Sequence, residues 1–177
     1  TFAALADLPL EERVRELRKP EVKAKILTEA PVDEEPLLSF VLSGMHKIFV
    51  LGEVPDYEPT SDKSIEAIAK QSGRDPHDVL YDEMLELDGK ALLMVALVGY
   101  HDGDLEAMRE MIEHPDTAFG LGDGGAHAGA ICDASMTTYL LTHWARDRKR
   151  GPKLPIEFAV KKMTKDTAEL YGLNDRG

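Results

Sequence analysis

The stretch Ala91–Tyr100, ALLMVALVGY, decides the fold. Its first eight residues form the longest unbroken apolar run in the chain. A buried strand and a buried helix segment read alike over that length. The flanks separate them, because Asp88-Gly89 precedes the run and Asp102-Gly103 follows it. Asp-Gly pairs are turn chemistry, so the run reads as a buried parallel strand closed at both ends. Upstream, Lys47-Ile48-Phe49-Val50-Leu51 closed by Gly52 is a second short strand. Downstream, Thr117-Ala118-Phe119-Gly120-Leu121 is a third.

Helices fill the intervals. Leu10, Val14 and Leu17 recur at helical spacing, and Pro20 fits the first turn of a second helix carrying Val22, Ile26 and Leu27. Ala30 to Pro36, with two prolines and three acids, reads as a loop. Ser64 to Gln71 is helical, and Asp75-Pro76 opens another helix with Asp75 as its N-cap. Val79, Leu80, Met84 and Leu87 supply that helix's apolar side. Asp104 to Glu113 is amphipathic and stops at His114-Pro115. Asp133 caps a helix running to about Lys149, with Met136, Leu140, His143 and Trp144 in one stripe. Leu154-Pro155 starts one more helix, and Thr164 caps a last one ending at Gly172. Strands alternating with helices predict an α/β layer of about three parallel strands with flanking helices. Three strands leave two open edges, which is a liability unless something covers them.

The 177 residues fit one domain, and the composition, 43% hydrophobic and 31% charged, supports a core. Thirty-three acids against twenty-one bases give a net charge of −12. That charge repels phosphate backbones and anionic lipid, so neither nucleic acid nor membrane is an expected partner. The longest apolar run is far short of the roughly 20 residues a membrane helix needs. A single cysteine, Cys132, forms no disulfide within the chain and fits a reducing, cytoplasmic setting. Thr1–Leu10 has no basic segment or cleavage pattern of a signal peptide. With no initiator methionine, the numbering is expected to begin inside a longer protein or after processing.

The best chemical signal is Phe119–Ala130, FGLGDGGAHAGA, with five glycines between Gly120 and Gly129. An acid and a histidine there follow a strand, where α/β folds present ligand sites. Glycine lets the backbone approach a ligand and leaves the Asp123 carboxylate uncrowded. Asp123 in that position suits ligation of a divalent metal, or proton transfer from a metal-bound water. The competing reading is a plain Asp-Gly turn. The same letters, Gly120 to Gly125, also match the dinucleotide pattern G-x-G-x-x-G. That pattern needs a helix at its third glycine and a later strand ending in an acid, whereas HWARDRKR from His143 is helical and basic. His46, His77, His101, His114 and His143 include no H-x-H or H-E-x-x-H pair, so no self-contained metal site is spelled out. His101 follows a strand and is placed to reach the same face as Asp123, and a turn position is its simpler reading.

The segment HPDTAFGLGDGGAHAGAICDAS, followed by THWARDR, resembles the last barrel strand and adjoining helix of the N-acyl-D-amino-acid deacylases of the amidohydrolase superfamily. MTKDTAELYGLNDRG is similar to the stretch leading into that family's C-terminal β-structure. VLGEVPDYEP and DPHDVLYDEM fit its late barrel units more loosely. The resemblance implies a partial TIM barrel, with residues 1–177 forming a single incomplete domain at its C-terminal side. It implies a zinc-dependent hydrolase cleaving the amide of an N-acyl-D-amino acid. Asp123 corresponds to the family's catalytic Asp, which takes a proton from metal-activated water and returns it to the leaving nitrogen. Gly124, Gly125 and His127 are the implied substrate contacts, and Asp123 is the one candidate metal ligand. A whole barrel takes roughly 250 residues, and the family's His pair and middle-strand ligands are absent from this chain. Zinc binding and activity are therefore expected only with the missing N-terminal part of the barrel. Pairing with that part, or with a second copy, is expected to cover the open edges. A nucleotide-binding α/β domain and a non-catalytic interaction module remain the alternatives.

Overall fold

The computed structural model describes residues 1–29, 44–120, 122 and 133–177. They form two compact units, Thr1–Asp104 and Leu105–Gly177. The first unit opens with a 3₁₀ turn, Phe2–Leu5, and two helices, α1 (Leu10–Leu17) and α2 (Pro20–Thr28). Pro20 takes the first helical position, where its missing N–H costs nothing. Strand β1 (Ile48–Val50) is followed by helices α3 (Ile65–Ser72) and α4 (Pro76–Gly89), then by strand β2 (Leu93–Val95). Ser64 caps α3 through its hydroxyl, which accepts from the Ala67 N–H, and the Asp75 carboxylate caps α4 by accepting from the His77 N–H. Gly73, at φ 67°, ends α3 in the left-handed conformation.

The two strands pair antiparallel, Ile48 with Val95, Phe49 with Met94 and Val50 with Leu93. This corrects the expected parallel sheet, and the reason lies in the count of helices. One crossover helix returns the chain for a parallel strand, but two helices separate β1 from β2, and the second reversal sends β2 back against its neighbour. The third expected strand is also absent among the described residues, since 117–120 adopt no strand and Leu121 lies outside them. Thr117 is instead tied to the preceding helix end, its hydroxyl donating to the carbonyls of Met111 and His114.

The core of the first unit is Ile48, Ile65, Ala69 and Val79, with Val50, Leu80, Leu93 and Val95 packed around it. One face of the sheet therefore lies on α3 and α4. Phe49, pointing the other way, meets Tyr100 edge to face at 5.7 Å. The α4 apolar side is shorter than its sequence implies, because Met84 and Leu87 are exposed. Helical geometry fails at Glu86, and Leu87 and Asp88 turn the chain at positive φ. Gly89, at φ 75°, completes that turn directly beneath α1. The α1–α2 pair is held on α4 by buried Val14 and Leu17, by Tyr81 donating to the Leu17 carbonyl, and by ion pairs from Lys23 to Asp78 and Asp82.

The regular elements of the second unit, among its described residues, are all helical: α5 (Glu106–Glu113), a 3₁₀ turn at Asp133–Ser135, α6 (Met136–Tyr139), a π-helical segment Leu140–Asp147, α7 (Ile156–Met163) and α8 (Lys165–Leu170). Leu140, Trp144, Leu154 and Ala159 form its core, joined by Met108, Ile112, Phe119 and Phe158. Of the stripe read from the sequence, Leu140 and Trp144 lie in this core while Met136 and His143 are half-buried, and the single helix expected from Asp133 is divided into the 3₁₀, α and π segments. Thr164 occupies the α8 N-cap but makes no capping bond, its hydroxyl donating back to the Val160 carbonyl. Among the described residues, no helix is long and apolar enough to cross a membrane.

Candidate functional site

Asp123, Gly124, Gly125, His127 and Cys132 lie outside the described residues, as does most of the glycine-rich segment. The structure does fix both stems of that segment. On the upstream side, Phe119 packs into the core of the second unit, and its carbonyl accepts from the Thr167 hydroxyl at 3.4 Å. On the downstream side, the first described helical turn begins at Asp133 and leads through α6 into buried Leu140 and Trp144. The hydrophobic core of one unit therefore anchors the two ends of the Asp123 segment.

The helix leaving that segment is unusual. From Leu140 to Asp147 it is π-helical, a geometry that accommodates an extra residue per turn and recurs near functional sites. The Arg148 N–H donates to the His143 carbonyl at 2.8 Å, five residues back. Rings line this segment: His143 stacks on Tyr139 at 4.8 Å and meets Trp144 edge on at 5.5 Å. The Arg148 guanidinium lies 4.8 Å over Trp144 with its side chain fully buried. It donates to Glu106 at 2.7 Å and to the Pro152 carbonyl at 3.1 Å. The guanidinium groups of Arg109 and Arg148 hold the Glu106 carboxyl below its usual range. Gly151, at φ 100°, leaves room for this pair, since a Cβ there would collide with both partners. Buried Lys162 donates to the His114 carbonyl at 2.8 Å, capping the end of α5.

The remaining histidines stay apart. His114 ends α5, and His143 is half-buried between two rings. His46 and His101 instead line a groove in the first unit of about 570 Å³. Phe49 and Tyr100 contribute apolar surface to this groove, and Glu66 and Lys70 bring charges of both signs. Sequence reasoning missed the groove, although Gly99 and Gly103, both at positive φ, bracket the loop that forms one wall. Among the described residues, no three His, Cys, Asp or Glu side chains are grouped to hold a metal ion. The described side chains thus do not assemble a zinc site.

Comparison with known proteins supplies what the geometry leaves open. Uncharacterized proteins of Mycobacterium bovis and of two Mycobacterium tuberculosis strains are 29% identical to the chain over 126 residues. The aligned stretch is 70% of this chain and 20% of each relative, so the chain spans about a fifth of the length of the curated relatives it matches. No solved structure matches it. A family match runs from residue 1 to residue 177, and on that coverage the chain belongs to the amidohydrolase family.

Proposed function

We propose that the chain is the C-terminal part of a metal-dependent hydrolase barrel and contributes Asp123 to the hydrolysis of N-acyl-D-amino acids. The family match over the whole chain supports the hydrolase part of this reading, and the resemblance of the GLGDGGAH segment to the deacylases is what favours this substrate. A zinc held by Asp123 together with ligands from the rest of the parent protein would polarise the scissile carbonyl.

The contribution of this chain is proton transfer. Asp123, as carboxylate, takes a proton from the water whose oxygen bonds to the acyl carbon. It returns that proton to the nitrogen as the C–N bond breaks, releasing a carboxylic acid and a free amino acid. The Gly124 and Gly125 N–H groups suit the substrate carboxylate or the developing oxyanion, and His127 contacts the substrate. The two anchored stems would hold this segment in register with the rest of the site. The setting is cytoplasmic, and the two units are parts of one domain completed by the barrel's N-terminal part or by a second copy.

Steady-state kinetics of the parent protein with zinc test the reading. N-acyl-D-amino acids are expected to be hydrolysed, Asp123→Asn to lower kcat by about 10²–10⁴-fold, and His127→Ala to raise KM. The 177-residue chain alone is expected to be inactive. Full activity of Asp123→Asn would overturn the assignment of Asp123, and unchanged kinetics of His127→Ala would remove that residue from the site.

A further inference from the structure

Lys162 is a buried charged side chain that the proton-transfer reading leaves unused. It lies in the last turn of α7, is only 3% exposed, and its ammonium donates to the His114 carbonyl at 2.8 Å. The Phe158 ring centroid is 5.9 Å from the ammonium, and among the described residues no carboxylate pairs with it. Withdrawing an ammonium from water without a counter-charge is costly. The negative end of the α5 dipole offsets only part of that cost.

Capping α5 does not by itself account for the arrangement. The His114 carbonyl also accepts from the Thr117 N–H at 3.3 Å and from the Thr117 hydroxyl at 2.9 Å. A carbonyl oxygen has two lone pairs, so Thr117 already serves it. What Lys162 adds is a tie between elements far apart in sequence, from α7 to the His114–Thr117 turn. A second tie runs beside the first. The Thr167 hydroxyl bridges the Lys162 carbonyl at 3.1 Å and the Phe119 carbonyl at 3.4 Å. Lys162 therefore meets the stem twice, directly at His114 and through Thr167 at Phe119. Phe119 packs into the core, and Asp123 follows it four residues later.

We propose that Lys162 is a positioning residue for Asp123, its buried ammonium fixing the His114–Phe119 stem from which the Asp123 segment leaves the core. The inference rests on the reading of Asp123 as the proton-transfer group. Proton transfer needs donor and acceptor within about 2.6–3.2 Å, and a misplacement of about 1 Å can cost about 10²-fold. Loosening the stem by that much is therefore enough to be read in kcat.

A double-mutant cycle in the zinc-loaded parent protein separates positioning from general support. Lys162→Met keeps an unbranched apolar side chain and removes the donors. It is expected to lower kcat by about 10–100-fold with KM within about twofold and zinc content unchanged. In the Asp123→Asn background, the same substitution is expected to cost less than about twofold, because residues that act as a unit do not lose independently. An equal loss in both backgrounds marks a lysine that only supports the fold and would overturn the proposal, as would full kcat in Lys162→Met. Thr167→Val loosens the same stem without touching the buried charge, and its expected loss is about 3–10-fold, again absent beside Asp123→Asn. Should Lys162→Met fail to fold, the Thr167→Val cycle decides, and an additive loss or none overturns the proposal. Amide exchange in the parent gives a readout apart from activity. Lys162→Met is expected to speed the Thr117 amide about tenfold while the Ala159 amide, bonded to the Pro155 carbonyl within α7, keeps its rate. Unchanged Thr117 exchange would overturn the tie. Wild-type activity of Asp123→Asn would end the reading of Asp123 and this inference with it, whereas an inactive Asp123→Asn with a fully active Lys162→Met would remove Lys162 alone.

Discussion

Replacing Gly89 by alanine should loosen the N-terminal helix pair, by an amount the structure allows to be divided. Gly89 sits at φ 75°, and a Cβ there would lie 2.5 Å from Val14 Cγ2 and 3.3 Å from Leu10 Cδ1. The left-handed conformation alone costs an L-residue about 1–2 kcal/mol. Reduced freedom of the unfolded chain returns about 0.4–1 kcal/mol, leaving roughly 1 kcal/mol net. Forcing a methyl against a buried side chain adds about 1–3 kcal/mol, because Val14 is only 5% exposed and cannot swing aside. Gly73 provides the control, with φ 67° and nothing within 4 Å of its Cβ position. Gly73→Ala should therefore cost only the conformational part.

Urea unfolding followed by far-UV circular dichroism should place Gly89→Ala about 1–3 kcal/mol below Gly73→Ala. Trimming the obstacle with Val14→Ala in the Gly89→Ala background should recover part of the loss, with a coupling of about 0.5–3 kcal/mol. Trp144, the chain's one tryptophan, lies in the other unit, so the early part of its fluorescence transition should not report the change. Equal costs for the two glycine variants would refute the docking of α1 on this turn.

The charge network on α4 predicts acid sensitivity. Lys23 first and then Arg74 hold the Asp78 carboxyl below its ordinary value of 3.8. Burial pushes Asp82 up, but bonds from Lys23 and Arg74 leave it lowered as well. A carboxyl lowered in the folded state stabilises fully above its unfolded pKa and loses that contribution as pH falls through the folded value. The α1–α2 pair should thus open at pH below about 3.8, seen as faster α2 amide exchange, and Asp78→Asn with Asp82→Asn should flatten that acid limb. Leu140→Ala, at a site with no exposure, should destabilise the second unit by about 2–5 kcal/mol, read by Trp144 fluorescence. A cost under 1 kcal/mol would contradict its place in the core.

The helices were legible in the sequence because their signals are local. Asp75-Pro76 caps and starts α4, Pro20 starts α2, and the Leu140–Trp144 stripe faces inward as its spacing implies. Strand direction was misread although both intervening helices were legible, because the parallel reading came from the unbroken apolar run Ala91–Val98 rather than from the number of reversals between the strands. The run Ala91–Val98 shortened to Leu93–Val95 for a related reason, since a strand extends only as far as it has a partner. The π-helical segment left no sequence trace, and it ends at Arg148, which contacts both Trp144 and Glu106. Asp123 came from its glycine neighbours and a family likeness, and the structure adds how its two stems are anchored.

Hydrolysis of an N-acyl-D-amino acid by the zinc-loaded parent protein, compared between wild type and Asp123→Asn, tests the central claim most directly. The account predicts a wild-type rate that Asp123→Asn lowers by about 10²–10⁴-fold while the fold and the zinc content stay unchanged. A variant that hydrolyses as fast as wild type would contradict it.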